Sequence, residues 1–190
     1  YQIKQSGRGF SCAREEPLDM RMNQDSESMS ALDILKSYSE DELYEIFAVY
    51  GEEQLARPIA RAIIHARTRN LLENSRQLAE LISSVYAREH RGSMIHPATK
   101  AFQAIRIAVN AELTILPQAL HDAITLLKSG GRIAVISFHS LEDRIVKRTF
   151  QKESLMLINK KPIVADNNEV LDNPASRSAK LRIAQSRGSD

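Results

Sequence analysis

The chain has 190 residues, 26 Lys+Arg against 24 Asp+Glu, a net charge of +2 and 43% hydrophobic residues, the balance of an ordinary globular protein. No apolar run approaches the ~20 residues of a membrane helix, and no signal-peptide pattern opens the sequence. One cysteine, Cys12, excludes an internal disulfide and a cysteine-rich zinc site, and it fits a reducing cytoplasm. The histidines at 65, 90, 96, 121 and 139 have no tight ligand spacing, so no metal is implied. The sequence starts on Tyr1 without an initiator Met, and a fragment of a longer protein is the expectation.

Residues 1–27 read as loop, punctuated by Gly7, Gly9 and Pro17. Residues 28–90 read as a run of helices. Ser39-Glu-Asp-Glu42 is a capping box ahead of Leu43, Ile46 and Phe47, and Gly51 ends that helix. The segment 52–69 is amphipathic, with Leu55, Ile59, Ala62, Ile63 and Ala66 on one face and Arg57, Arg61 and His65 on another. Pro58 should kink it or move its start. Ser75 is expected to cap the next helix. After a polar break at 88–96, Pro97 is expected in the first turn of a long helix with a break near Pro117. Gly130-Gly131 closes that helix. Ile133 to Ser137 then reads as a fully buried parallel strand, with neighbours on both sides. Ser140 is expected to cap a helix to about Phe150, a short helix is expected near 167–172, and Ala179 to Ala184 alternates as a final strand. Two strands make no stable sheet alone, so the C-terminal third reads as half of an α/β domain whose other strands lie upstream of Tyr1.

Polar and titratable groups crowd the end of the first strand: His139, Ser140, Glu142 and Asp143. In α/β proteins ligands bind beyond the carboxyl ends of strands. Ser140 and Asp143 are explained by capping and the helix dipole. His139 is not, which leaves it open to a functional role. Gln103, Arg106 and Asn110 form one polar line on the helix after Pro97, able to meet a base edge or a phosphate. Arg57, Arg61 and His65, and again Arg144, Lys147 and Arg148, make basic clusters that are either solvated faces or RNA-phosphate footprints.

Several segments recur, in this order, in one family: Tyr1-Gln2-Ile3, Arg8 to Ser11, Pro17-Leu-Asp-Met-Arg-Met22, Tyr50 to Glu53, His96 to Thr99, Phe102 to Ile107, Val109-Asn110, Ser137 to Lys147, and Asn173 to Arg182. The chain resembles the bacterial ribosomal RNA small subunit methyltransferase H family (MraW type). That resemblance implies an α/β fold, part of a Rossmann-like S-adenosylmethionine-dependent methyltransferase domain with an inserted all-helical substrate-recognition domain. Residues 1–23 would be a loop from the core, 24–93 the helical insert and 94–190 the C-terminal part of the methyltransferase domain. The implied activity is N4-methylation of a cytidine in 16S rRNA with S-adenosyl-L-methionine as cofactor, in the cytoplasm and away from membranes. The partner would be the small ribosomal subunit, and a homodimer is among the allowed assemblies.

By the same resemblance Gln2 is a cofactor contact, while Asp19, Asn110 and His139 are candidates for the wall that binds the base and for the catalytic groups. Arg57, Arg61, Arg106, Arg144 and Lys147 are the RNA-binding candidates. Lys4 and Cys12 depart from the family, which usually has Asp and an apolar residue there. The family's glycine-rich cofactor loop would precede Tyr1, so this chain alone is expected to be inactive. Two rival readings are a noncatalytic RNA-binding module and a hydrolase using His139 and Ser140.

Overall fold

The computed structural model describes residues 6–25, 27–92, 95–153 and 155–187. The chain divides into two compact units, Tyr1–Ala111 and Glu112–Asp190.

The first unit is helical. Helix α1 (Ala31–Ser37) and helix α2 (Glu40–Glu45) each begin with a reciprocal capping box, Ser30 with Asp33 and Ser39 with Glu42. The second of these is the box expected from sequence. A π-helical turn (Ile46–Tyr50) continues α2 and buries Ile46 and Phe47. Helix α3 (Ala56–Arg67) places Pro58 as its third residue. The N–H that proline lacks is one of the four that have no intrahelical partner anyway, so Pro58 is accommodated in the first turn of a helix that starts at Ala56. Helix α4 (Ser75–Arg88) is capped by Asn74, whose side chain accepts from the Gln77 N–H. The expected cap, Ser75, is instead buried, with its hydroxyl tied to the Arg14 carbonyl and the Glu16 N–H. Helix α5 (Thr99–Asn110) starts beyond Pro97, which sits in the preceding turn. Leu35, Leu43, Phe47, Ile59, Ile63, Leu78, Ile82 and Ile105 are fully buried. Each contributes about 2 kcal/mol of apolar burial, which is why the amphipathic pattern was readable.

The long helix expected to break near Pro117 breaks earlier. Ala111 adopts φ 49, a left-handed conformation that ends α5. Helix α6 (Glu112–Thr125) then runs through Pro117.

The second unit is a four-stranded antiparallel sheet under two helices. Strand β1 (Arg132–Ser137) leads into helix α7 (Ser140–Lys152). Then come β2 (Met156–Leu157), β3 (Ile163–Val164), the short helix α8 (Asn167–Asp172), a 3-10 turn (Pro174–Ser178) and β4 (Lys180–Gln185). Strand β4 is central, with β1 along one side and β2 and β3 along the other. Between β2 and β3 the ladder is completed by a side chain. The Asn159 amide accepts from the Ile183 N–H and donates to the Leu181 carbonyl.

The parallel neighbours of this strand are expected upstream of Tyr1, outside this chain. Among the described residues β1 pairs antiparallel with β4 alone, and its residues alternate between exposed and covered. Ile133 and Val135 join Leu120, Val146 and Phe150 in the core beneath α6 and α7. On the other face Ile136, Phe138 and Ile163 remain more than half exposed, at 58%, 55% and 51%. A sheet with one covering layer buries only alternate residues.

Candidate functional site

Two groups of sequence-predicted residues sit in well-defined settings, one in each unit. The first is the loop 17–22. Leu18 and Met20 bury their side chains and so fix the loop from below. Met20 has φ 55, a left-handed conformation that costs a non-glycine residue roughly 1–2 kcal/mol. Hydrogen bonds hold it there. The Met20 N–H donates to the Arg8 carbonyl, and the Ala31 and Leu32 N–H groups donate to the Asp19 and Leu18 carbonyls, all at 2.8 Å. The Arg8 guanidinium donates to the Arg21 carbonyl at 2.6 Å. Gly9, at φ 80, lies so close beneath the loop that a Cβ there would stand 2.4 Å from the Pro17 carbonyl oxygen. Its N–H donates to the buried Glu16 carboxylate.

Asn110 belongs to this support. Its amide oxygen accepts from the Met22 N–H at 2.7 Å, and its amide nitrogen donates to the Met20 and Arg106 carbonyls, both at 2.8 Å. From sequence it was a candidate for the base-binding wall. Both its N–H groups donate to backbone carbonyls, which ties helix α5 to the loop. What the loop displays is Asp19. The Arg21 guanidinium donates to its carboxylate at 2.6 Å and the Gln24 amide at 3.0 Å. Burial pushes the Asp19 carboxyl up, but the hydrogen bonds from Arg21 and Gln24 outweigh it and hold it below the usual carboxylate range. Asp19 is therefore an ionised acceptor at neutral pH, suited to receive an N–H more than to keep a proton. Arg106 lines a shallow hollow of about 200 Å³ with Phe10, Cys12, Thr99, Phe102 and Gln103.

The second group follows β1. The residue that caps α7 is His139, not Ser140 as expected. The Glu142 N–H donates to His139 Nδ1 at 3.3 Å, while the Glu142 carboxylate accepts from the Phe138 and His139 N–H groups. Ser140 is the first helical residue. The chain turns helical one residue sooner because β1 stops at Ser137. Cap replacement costs about 1 kcal/mol, so His139→Ala should lose about that much stability in thermal unfolding and Ser140→Ala should lose less, the reverse of the sequence expectation.

Ligand atoms of Glu112, His139 and Glu142 lie within 4.8 Å of one another. Because Nδ1 accepts a backbone N–H, the neutral ring carries its proton on Nε2. With Nδ1 engaged in the cap, Nε2 lies 3.5 Å from the Glu142 carboxylate. Asp143, next along, is joined to Arg182 on β4 at 2.6 Å and to Lys180 at 3.6 Å. Arg182 was missed from sequence. Its signal was a charge at an inward position of the last strand.

The RNA-binding candidates divide. Arg57 is paired with Asp41 and Glu40 and stacks on Tyr44, with 3.9 Å to the ring centroid. Arg61 is paired with Glu40 at 3.0 Å. A phosphate would have to displace those carboxylates. Arg144 and Lys147 are exposed on α7. Gln2 lies outside the described residues. Among the described residues, no strand is followed by a glycine-rich turn and helix of the kind that cradles a nucleotide cofactor. The two direct strand-to-helix turns, at Phe138-His139 and Ala165-Asp166, lack glycine. No described residue is therefore assigned to the methyl donor. Among the described residues no helix is long and apolar enough to cross a membrane.

Comparison with known proteins gives the family. Residues 1–187 match the model of the MraW methylase family, and the chain belongs to that family. It is similar to proteins named Ribosomal RNA small subunit methyltransferase H. The relative from Persephonella marina is 48% identical over 189 residues, spanning 97% of this chain and 64% of the relative. That from Deinococcus deserti is 51% identical over 186 residues, 97% of this chain and 61% of the relative. That from Acaryochloris marina is 50% identical over 186 residues, again 97% and 61%. The chain thus spans less than two thirds of the length of these curated relatives.

Proposed function

We propose that the protein takes part in N4-methylation of a cytidine in 16S rRNA of the small ribosomal subunit, with S-adenosyl-L-methionine as the methyl donor. Family membership supports methyl transfer, and the relatives' names support a small-subunit rRNA target. The same membership leaves no ground for the hydrolase reading of His139 and Ser140.

The observation that carries the site is the loop 17–22. A left-handed Met20 tied down from Arg8, Asn110 and α1 holds a strained backbone in one shape, and such strain gathers where a side chain must be presented accurately. An exocyclic amine is a poor nucleophile, because its lone pair conjugates with the ring. Fixing that nitrogen in line with the methyl group lowers the barrier. The ionised Asp19 carboxylate is placed to accept one of its N–H groups and so to orient it, and Arg21 keeps that carboxylate charged. His139 orders the entrance to α7 through its cap, and Arg106, Arg144 and Lys147 contact RNA.

The test uses the full-length protein of which this chain is expected to be a part, S-adenosylmethionine and undermethylated small subunits, with nucleoside mass spectrometry of the digested rRNA. N4-methylcytidine should form, and Asp19→Asn should lower its rate by tenfold or more, about 1.4 kcal/mol in the barrier, with RNA affinity kept. A methyl group on another nucleoside overturns the reaction assignment, and full activity of Asp19→Asn overturns the role of the loop.

A further inference from the structure

Four cations run down the water-facing side of α7: Arg144, Lys147, Arg148 and Lys152. At ~100° per residue they share one arc opposite the buried Val146 and Phe150. The cations at 144, 148 and 152 climb the helix in steps of about 6 Å. At its C-terminal end the strip opens into a groove of about 440 Å³, walled on α6 by Gln118 and His121 and on α7 by Arg148, Thr149 and Lys152. Its acidic neighbours are already engaged. Glu153 meets His121 Nδ1 at 3.1 Å, and Asp122 accepts from the Gln118 amide at 2.7 Å.

Among the described residues no carboxylate forms an ion pair with Lys147, Arg148 or Lys152, in contrast to Arg57 and Arg61 on α3. The uncompensated positive charge of α7 thus gathers on one face. A helix dipole asks for cations only in the last turn, and Lys147 and Arg148 stand before that turn. A single phosphate would need one notch, whereas a graded row of cations that ends in a groove fits a polyanion.

We propose that the basic face of α7 and the α6–α7 groove form a track for the phosphodiester backbone of structured RNA, with Arg148 and Lys152 as its anchoring cations. This rests on the reading of rRNA as substrate and adds the surface that grips it outside the methylated nucleotide. Neutralising two phosphate contacts should reduce the salt slope of binding by about 1.5 units.

The experiment measures binding of the protein to a fluorescent small-subunit rRNA fragment across a sodium chloride series. Arg148→Gln with Lys152→Gln should raise Kd by tenfold or more at low salt and flatten the slope as stated. Both side chains are exposed, so the melting temperature should hold. The swap Arg148→Lys with Lys152→Arg should keep the wild-type slope. Arg57→Gln with Arg61→Gln should move the slope by less than half as much. A wild-type slope in the Gln pair overturns the track and leaves the rRNA reading intact. Failure of the wild-type protein to bind the rRNA overturns both. An acidic polypeptide that competes as well as RNA assigns the face to a protein partner and also overturns the track.

Discussion

Asp143→Asn should destabilise the second unit by about 3 kcal/mol, the cost of leaving a largely buried guanidinium without its counter-ion. Arg182 is 8% exposed, and its Nε and Nη2 donate to the two Asp143 oxygens at 2.6 and 3.1 Å. The hydrogen bonds and charge of Arg182 hold the Asp143 carboxyl below its usual range, with burial opposing and Lys180 assisting. A carboxyl depressed in the folded state stabilises it at pH values above the unfolded pKa of about 3.9. That contribution is lost as the pH falls through the folded value. The wild-type chain should therefore keep this stability down to about pH 4 and shed it below, while Asp143→Asn should lack that part of the acid limb. Urea unfolding with hydrogen exchange at the β4 amides reads both effects. Asp143→Leu with Arg182→Met should recover most of the loss, because removing both charges leaves nothing buried and unpaired. A single variant as stable as wild type would show that water already screens the pair.

Gly9→Ala should lower methyl transfer about a hundredfold, the scale of a ~1 Å misplacement near reacting atoms. The new methyl group would meet the Pro17 carbonyl at 2.4 Å and the Leu18 Cα at 3.1 Å, both backbone atoms of the loop that presents Asp19. It would also have to accept φ 80. Gly7 provides the control. It too is left-handed, at φ 68, but a Cβ there meets nothing within 4 Å. Gly7→Ala should cost only the conformational penalty of roughly 1–2 kcal/mol and keep its rate. Paired activity and melting measurements separate the two, and equal losses would show that the close approach at Gly9 does not govern the loop.

What could be read from the sequence was what is decided locally. Ser39 and Glu42 sit three residues apart and satisfy each other's backbone, so the start of α2 was legible. The apolar stripes of α3, α4 and α5 were legible because burial follows the helical period. Ser75, β1 and Asn110 each depend on a partner far along the chain. Ser75 looks like a cap, but its hydroxyl is claimed by Arg14 and Glu16, about sixty residues away in sequence. The apolar run of β1 does not reveal that its neighbour within this chain is β4. Nothing local announced that loop 17–22 would lie against Asn110. His139 was correctly singled out as unusual, but the adjacent Ser140 offered a better cap by local rules and hid the structural task that the ring performs.

The uncovered sheet face of Ile136, Phe138 and Ile163 and the basic face of α7 make opposite demands on solvent. Simple salt competes with the cations for nucleic acid and loosens what they hold. Sulfate and other strongly excluded salts drive apolar surface together. If α7 grips RNA as proposed, sodium chloride should release it, whereas ammonium sulfate should drive the exposed Ile136, Phe138 and Ile163 of this chain into self-association, so the anion chosen decides whether purification clarifies the protein or precipitates it.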